Sequence, residues 1–228
     1  MRQYLRLVTV VAALAAAPLE AQVIGAPGTG PNCFPFTCYN VQGNPSTRYQ
    51  QVYAASNFTS GPISINQISF FLSPLNAGPL NTGTYTISLS TTAAAVNGLS
   101  STFASNLGAD NALFGVFNLG GAAPATLTFT GTTFNYDPSQ GNLLLDVQTS
   151  ITSGQTVTDY STSYYEGRFQ DAAGVFSRMH DFGDVFDNTG LVTEFALVPV
   201  PEPSTYALLA AGLAAMGVVA RRRRQVRR

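Results

Sequence analysis

A chain of 228 residues, 45% hydrophobic and 10% charged with a formal net charge of −1, suits one domain with a sizeable core and does not require two. The near-neutral total hides a segregation, because eight of the eleven arginines fall in the first six and last eight residues and lysine is absent. Residues 22–199 keep only Arg48, Arg168 and Arg178 against ten carboxylates, a balance of about −7, which excludes nucleic acid as a partner because its phosphates need clustered cations.

In chain order, Arg2 and Arg6 precede the apolar run Leu7 to Ala17, and Leu19-Glu20-Ala21 offers a small residue for cleavage. That three-part layout predicts a secretory signal peptide over residues 1–21, cut after Ala21 to leave Gln22 first. Cys33 and Cys38 follow in NCFPFTCYN. In an oxidising compartment a disulfide between them is the expected state, with two free thiols as the alternative; C-x4-C without His or further Cys is a weak zinc pattern.

From there the chain reads as strand after strand. Tyr85, Ile87 and Leu89 alternate with Thr84, Thr86, Ser88 and Ser90, the period of a half-buried strand, and Leu143, Leu145, Val147 and Leu191, Thr193, Phe195, Leu197 repeat it. Apolar parity switches from Ile63 and Ile65 to Ile68, Phe70 and Leu72, so a bulge near Asn66 or Gln67 is expected. Further strands are predicted over 49–59, 113–119, 126–134, 157–165 and 175–179, with a short turn of helix within 92–106. Gly, Pro, Asn and Asp punctuate them. Short strands with such turns predict an all-β fold, a single β-sandwich of jelly-roll type over residues 22–198.

Chemistry is sparse. The one histidine, His180, lies in SRMHDFGDVFDNTG, and no G-x-S-x-G elbow occurs, so a nucleophilic triad has little to be built from and no enzymatic activity or cofactor is expected. Arg178, His180, Asp181, Asp184 and Asp187 form the densest polar cluster, read as a solvated acidic loop with His180 at the surface. Oxygen-rich loops bind calcium outside cells, but D-x-x-D-x-x-D-N-x-G departs from the D-x-[DN]-x-[DN]-G spacing, leaving calcium a minor alternative. Tyr160, Tyr164, Tyr165 and Phe169 beside Glu166 and Arg168 are either half of an ordinary aromatic core or a platform for sugar rings. Thr126, Thr128 and Thr130 fall about 6.7 Å apart on one strand face, a single polar row.

The last residues read VPVPEPSTYALLAAGLAAMGVVARRRRQVRR. Pro201 and Pro203 end any upstream element. Ser204 or Thr205 suits an N-cap, and Tyr206 to Ala220 carries no charge. At ~1.5 Å per residue that helix reaches about 22 Å against roughly 30 Å of hydrocarbon, a marginal membrane span that snorkelling arginines would extend. Arginines outside both apolar segments favour cytoplasmic ends with the middle translocated.

Val200, Pro201, Glu202, Pro203, Ser204 and Thr205, then the apolar run, then Arg221, Arg222, Arg223 and Arg224, resemble the PEP-CTERM tail of Gram-negative exported proteins, which also goes under the name of an ice-binding protein C-terminal domain. Tyr206 stands where that family more often has Trp. The strands NFTSGPISINQISFFL, GTYTISLSTT and GNLLLDVQ look loosely like the sandwich ectodomains common among such proteins. The resemblance implies transient anchoring by residues 199–228, processing by an exosortase, and release to the cell surface or the extracellular polysaccharide matrix. The expected role is structural or adhesive, associated with exopolysaccharide; a carbohydrate- or calcium-binding module is the alternative and a secreted hydrolase the third. The ice-binding name attaches to a tail shared for export and carries no ligand chemistry.

Overall fold

The computed structural model describes residues 20–25, 30–37, 47–58, 61–73, 79–153, 164–167, 175–181, 185–187, 189–199, 209 and 212–217. In chain order the strands are β1 (Glu20–Ile24), β2 (Gly30–Asn32), β3 (Arg48–Tyr53), β4 (Ile63–Phe71), β5 (Pro79–Thr92), β6 (Ala112–Ala122), β7 (Thr126–Tyr136), β8 (Asn142–Ser153), β9 (Tyr164–Gly167), β10 (Phe176–His180), β11 (Val185–Asp187), β12 (Gly190–Leu191) and β13 (Thr193–Pro199). They form a four-stranded sheet, β1-β13-β4-β7, a six-stranded sheet, β11-β10-β3-β8-β5-β6, and a small three-stranded sheet, β12-β9-β2, with every pairing antiparallel. The expected sandwich is therefore present. The chain passes between the two large sheets from β3 to β4, β4 to β5, β6 to β7 and β7 to β8, which ties the layers together.

The alternating strands deliver the core. Tyr85, Ile87 and Leu89 from β5, with Leu143, Leu145 and Val147 from β8, are fully buried against Ile65, Ile68, Phe129 and Phe195 of the other sheet. Aromatic rings fill both ends of this layer. Tyr53 meets Phe195 edge-on at 5.1 Å and Phe58 meets Tyr136 edge-on at 5.1 Å. Toward the other end, Phe36 lies 5.1 Å from Phe70, 5.7 Å from Phe129 and 5.8 Å from Tyr85. Such pairs, edge-on at Tyr53 and Phe58 and tilted or stacked around Phe36, add to area burial.

The parity switch in β4 is resolved as expected. Stepping from Gln67 to Ile65, β4 skips Asn66 while β13 moves one residue, from Ala196 to Leu197. The extra residue turns Ile63 and Ile65 onto the same face as Ile68 and Phe70, and all four are buried.

Two expectations need adjustment. The predicted strand over 49–59 ends at Tyr53, and a 3₁₀ turn at Ala55–Asn57 replaces its second half. The polar faces of β5 and β8 are not uniformly solvated, since Ser88, Ser90 and Asp146 are all buried. Residues 93–111, including a 3₁₀ turn at Phe103–Asn106, fold back over the outer face of the six-stranded sheet. Leu99 and the half-buried Phe103 and Leu107 pack there on Val52, Leu144 and Met179. Asn106 holds the excursion down: its Nδ2 donates to Gln50 Oε1 at 2.8 Å and to Ser100 O at 2.9 Å, and its Oδ1 accepts the Ser100 N–H at 2.7 Å.

Candidate functional site

The sorting tail leaves the sandwich without a spacer. β13 runs to Pro199 between β1 and β4, paired with β1 up to Leu197 and with β4 up to Pro199, so the last strand of the domain stays in its sheet as far as the Val-Pro-Glu-Pro sequence. Phe195 and Leu197 anchor it in the core, and Thr193 Oγ1 lies 2.7 Å from the Tyr53 hydroxyl. β1 pairs with it antiparallel from Glu20↔Leu197 to Ile24↔Thr193. The start of β1 and the end of β13 thus lie side by side at one end of the sandwich.

The expected cut after Ala21 falls inside β1. It would remove Glu20 and Ala21 and leave Gln22, Val23 and the buried Ile24 opposite Phe195, Glu194 and Thr193. The role of residues 20–24 as a strand is not legible in the sequence because within 21–24 only Ile24 is buried and the segment abuts an apolar leader. Its signal was Val23-Ile24 closed by Gly25, whose φ of 92° ends the strand.

Of the tail itself, Val200, Pro201, Glu202, Pro203, Ser204, Thr205 and Arg221 to Arg224 lie outside the described residues. Leu209 and residues 212–217 are helical and exposed; the rest of the expected 206–220 helix lies outside the described residues. Among the described residues no helix is long and apolar enough to cross a membrane.

The polar cluster is distributed over several elements. His180 is not at the surface: it is buried on β10, and its ring stacks on Phe34 at 4.4 Å and 15°. Arg178 is likewise buried on β10, opposite Gln51 on one side and Asp187 on the other. The reason is that β10 is an interior strand, paired with both β3 and β11. Asp181 closes that strand, its Oδ2 accepting the Thr47 N–H at 2.7 Å and the Thr47 hydroxyl. Tyr164 and Glu166 lie on β9 in the small sheet, opposite Asn32 and Leu191 respectively. Asp184, with Tyr160, Arg168 and Phe169, lies outside the described residues. The structure therefore brings Arg178 and Asp187 to one rung and leaves Glu166 in a different sheet. Among the described residues no group of three His, Cys, Asp or Glu side chains is placed to hold a metal ion.

Cys33 is buried and is not a free thiol, and its expected partner Cys38 lies outside the described residues. Thr126, Thr128 and Thr130 are exposed on β7, and β4 sets Phe71, Ser69 and Gln67 opposite them, so the threonine row is not repeated on the neighbouring strand.

The family model of the PEP-CTERM protein-sorting motif matches residues 199–224. No curated protein and no solved structure matches the chain. The fold and the tail define an all-β sandwich carrying a C-terminal sorting signal. The chain is an exported protein with a PEP-CTERM sorting tail, sorted through an exosortase.

Proposed function

We propose that the sandwich is a non-catalytic structural or adhesive component of the extracellular polysaccharide matrix at the surface of a Gram-negative bacterium. The observation that carries this reading is the direct join of a strand inside the sheet, β13, paired with β4 as far as Pro199, to the sorting motif that begins at residue 199. What is delivered outside the cell is then the sandwich itself. Its outer faces present Thr, Ser, Asn and Gln, among them Thr126, Thr128, Thr130 and Asn135 on β7, groups that hydrogen-bond neutral hydroxylated polymer.

The acidic balance of the domain sets the class of polymer. With ten carboxylates against three arginines in residues 22–199, a polyanion is repelled at low ionic strength, whereas a neutral glycan is not. Titration of the released protein with neutral glycans, with heparin as a polyanion and with calcium, at low and physiological salt, tests the reading. Binding to neutral polymer without salt sensitivity is the expected result. Tight, salt-sensitive heparin binding overturns the electrostatic argument, and saturable calcium binding favours the calcium module.

A further inference from the structure

The six-stranded sheet ends at β6 and the four-stranded sheet at β7, two consecutive strands of 11 residues each joined by residues 123–125. They lie at the same side of the sandwich. Where they meet, the backbones approach so closely that a Cβ on Gly131 would stand 2.3 Å from the Phe114 carbonyl oxygen. Beyond β5, no strand pairs with β6 among the described residues.

A long open edge is normally guarded by lysine or other charges, by proline, or by shortness. β6 lacks charge, proline and shortness, and among the described residues β7 abuts its edge at Phe114, leaving the length beyond it toward Ala122 without a paired strand. Residues 111–136 contain no Asp, Glu, Lys or Arg, the charges resuming only at Asp110 and Asp137, and Pro124 sits in the connection rather than in either strand. Leu113 and Val116 stand 53% and 57% exposed, the most exposed large hydrophobics among the described residues of the sandwich. The ladder to β5 shifts register at Leu80/Gly83 and at Ile87/Ser88, which twists the edge without removing its unpaired backbone groups.

We infer that the β6 edge is a self-association surface whose partner is β6 of a second copy of this chain. An antiparallel pair about a two-fold axis is self-complementary: each strand presents to its partner the same donors, acceptors and side chains that it receives. Charge selects the copy as occupant. A domain with a balance of about −7 repels itself over most approaches, but two β6 edges meet with no carboxylate between them. A cationic partner would find no counter-charge in residues 111–136, and exposed Leu113 and Val116 are covered by their symmetry mates instead. The six-stranded sheet then continues across two protomers, independently of whether either binds polysaccharide.

Sedimentation velocity of the released protein over a micromolar to millimolar range, with Val116→Lys and Val23→Lys compared, tests this. Val116 is on β6, while Val23, 45% exposed, is on β1 at the opposite edge of the other sheet. The expected result is a concentration-dependent dimer that Val116→Lys weakens about tenfold, through like charges brought close in both symmetry-related contacts, and that Val23→Lys leaves intact. Backbone amides of 112–122 in the unaltered protein should also exchange more slowly as concentration rises, a readout that needs no variant to fold. A monomer throughout the range, or a dimer lost with Val23→Lys and retained with Val116→Lys, overturns the assignment.

Discussion

Gln51 and Leu191 are joined as two strand residues would be, although one side of the pair is a side chain. Gln51 Nε2 donates to Leu191 O at 2.9 Å and its Oε1 accepts the Leu191 N–H at 2.7 Å, so a buried amide on β3 supplies the partner that β12 lacks. The Tyr49 hydroxyl donates to the same Oε1. All of these groups are fully buried, so no water can replace them. Gln51→Leu should keep the volume, strip both bonds from Leu191, and destabilise the protein by about 3 kcal/mol. A urea midpoint unchanged in the variant would show that the contact is dispensable.

Arg48 and Asp146 form a two-pronged pair on the outer face of the six-stranded sheet, Nε to Oδ1 at 2.9 Å and Nη2 to Oδ2 at 3.0 Å. Gln50 Nε2 adds a third bond to Oδ1 at 2.9 Å. Asp146 is buried beneath the 93–111 excursion, so removing the arginine leaves a buried carboxylate without its counter-charge, held only by the Gln50 and Gln148 amides. Arg48→Ala is expected to cost about 3 kcal/mol, and Arg48→Ala with Asp146→Leu together to cost less than the arginine change alone. Chemical denaturation of the two variants and the double variant measures the coupling.

The strands that period-2 alternation marked, such as 84–90 and 143–147, lie where the pattern put them because one face of each meets the opposing sheet. The bulge at Asn66 was legible for the same reason, since a parity slip leaves apolar residues on the wrong face. His180 and Arg178 were misread as solvated because local polarity says nothing about β3 and β11 closing over β10 from both sides. The second apolar layer under residues 93–111 was equally invisible, being made by Leu99, Phe103 and Leu107 from a segment without period. The sorting tail needed no tertiary information, because its proline, apolar and arginine parts act in order along the chain.

Cys33 sits four residues before Thr37, whose N–H donates to Cys33 O at 2.8 Å, so the segment 33–37 already turns on its own backbone. A bridge to Cys38 closes a short loop and excludes few unfolded conformations, worth about 2 kcal/mol in the chain-entropy view. Replacing both cysteines with Ser should lower the melting temperature by several degrees and leave a folded sandwich. Complete loss of the near-ultraviolet dichroism of the protein would show instead that the bridge holds Phe36 in the core.

Tyr53 and Tyr136 link stability to alkaline pH. Burial pushes both phenols above their ordinary value, with neighbouring Tyr49 adding to the effect at Tyr53 and the Asp137 carboxylate at Tyr136. A proton held more tightly in the folded state contributes stability that is complete below the unfolded value of about 10 and is lost as pH rises above it. Urea midpoints should therefore be flat from about pH 7 to 9 and fall beyond about pH 10. Tyr136→Phe, which gives up the bond to Gly141 O at 2.7 Å, should start lower and fall less steeply.

The adjacency of the two exits makes order of processing a structural matter. β13 supplies the rung between β1 and β4, and Phe195 and Leu197 are core residues, so a cut that removes any of 193–197 opens the four-stranded sheet at its centre. β1 is an edge strand, and loss of Glu20 and Ala21 trims it without reaching Ile24. Protein recovered from the cell surface should then begin at Gln22, retain Leu197, and lack the arginines from Arg221 onward, as read by intact mass. A chain ended after Pro199 should melt as the released protein does. One ended after Val192 should fail to fold, since it loses the strand that pairs with both β1 and β4 and about 4 kcal/mol or more of aromatic and aliphatic burial. A mass that still includes Arg228 would contradict removal of the tail, and a folded truncation ending at Val192 would contradict the place given to β13.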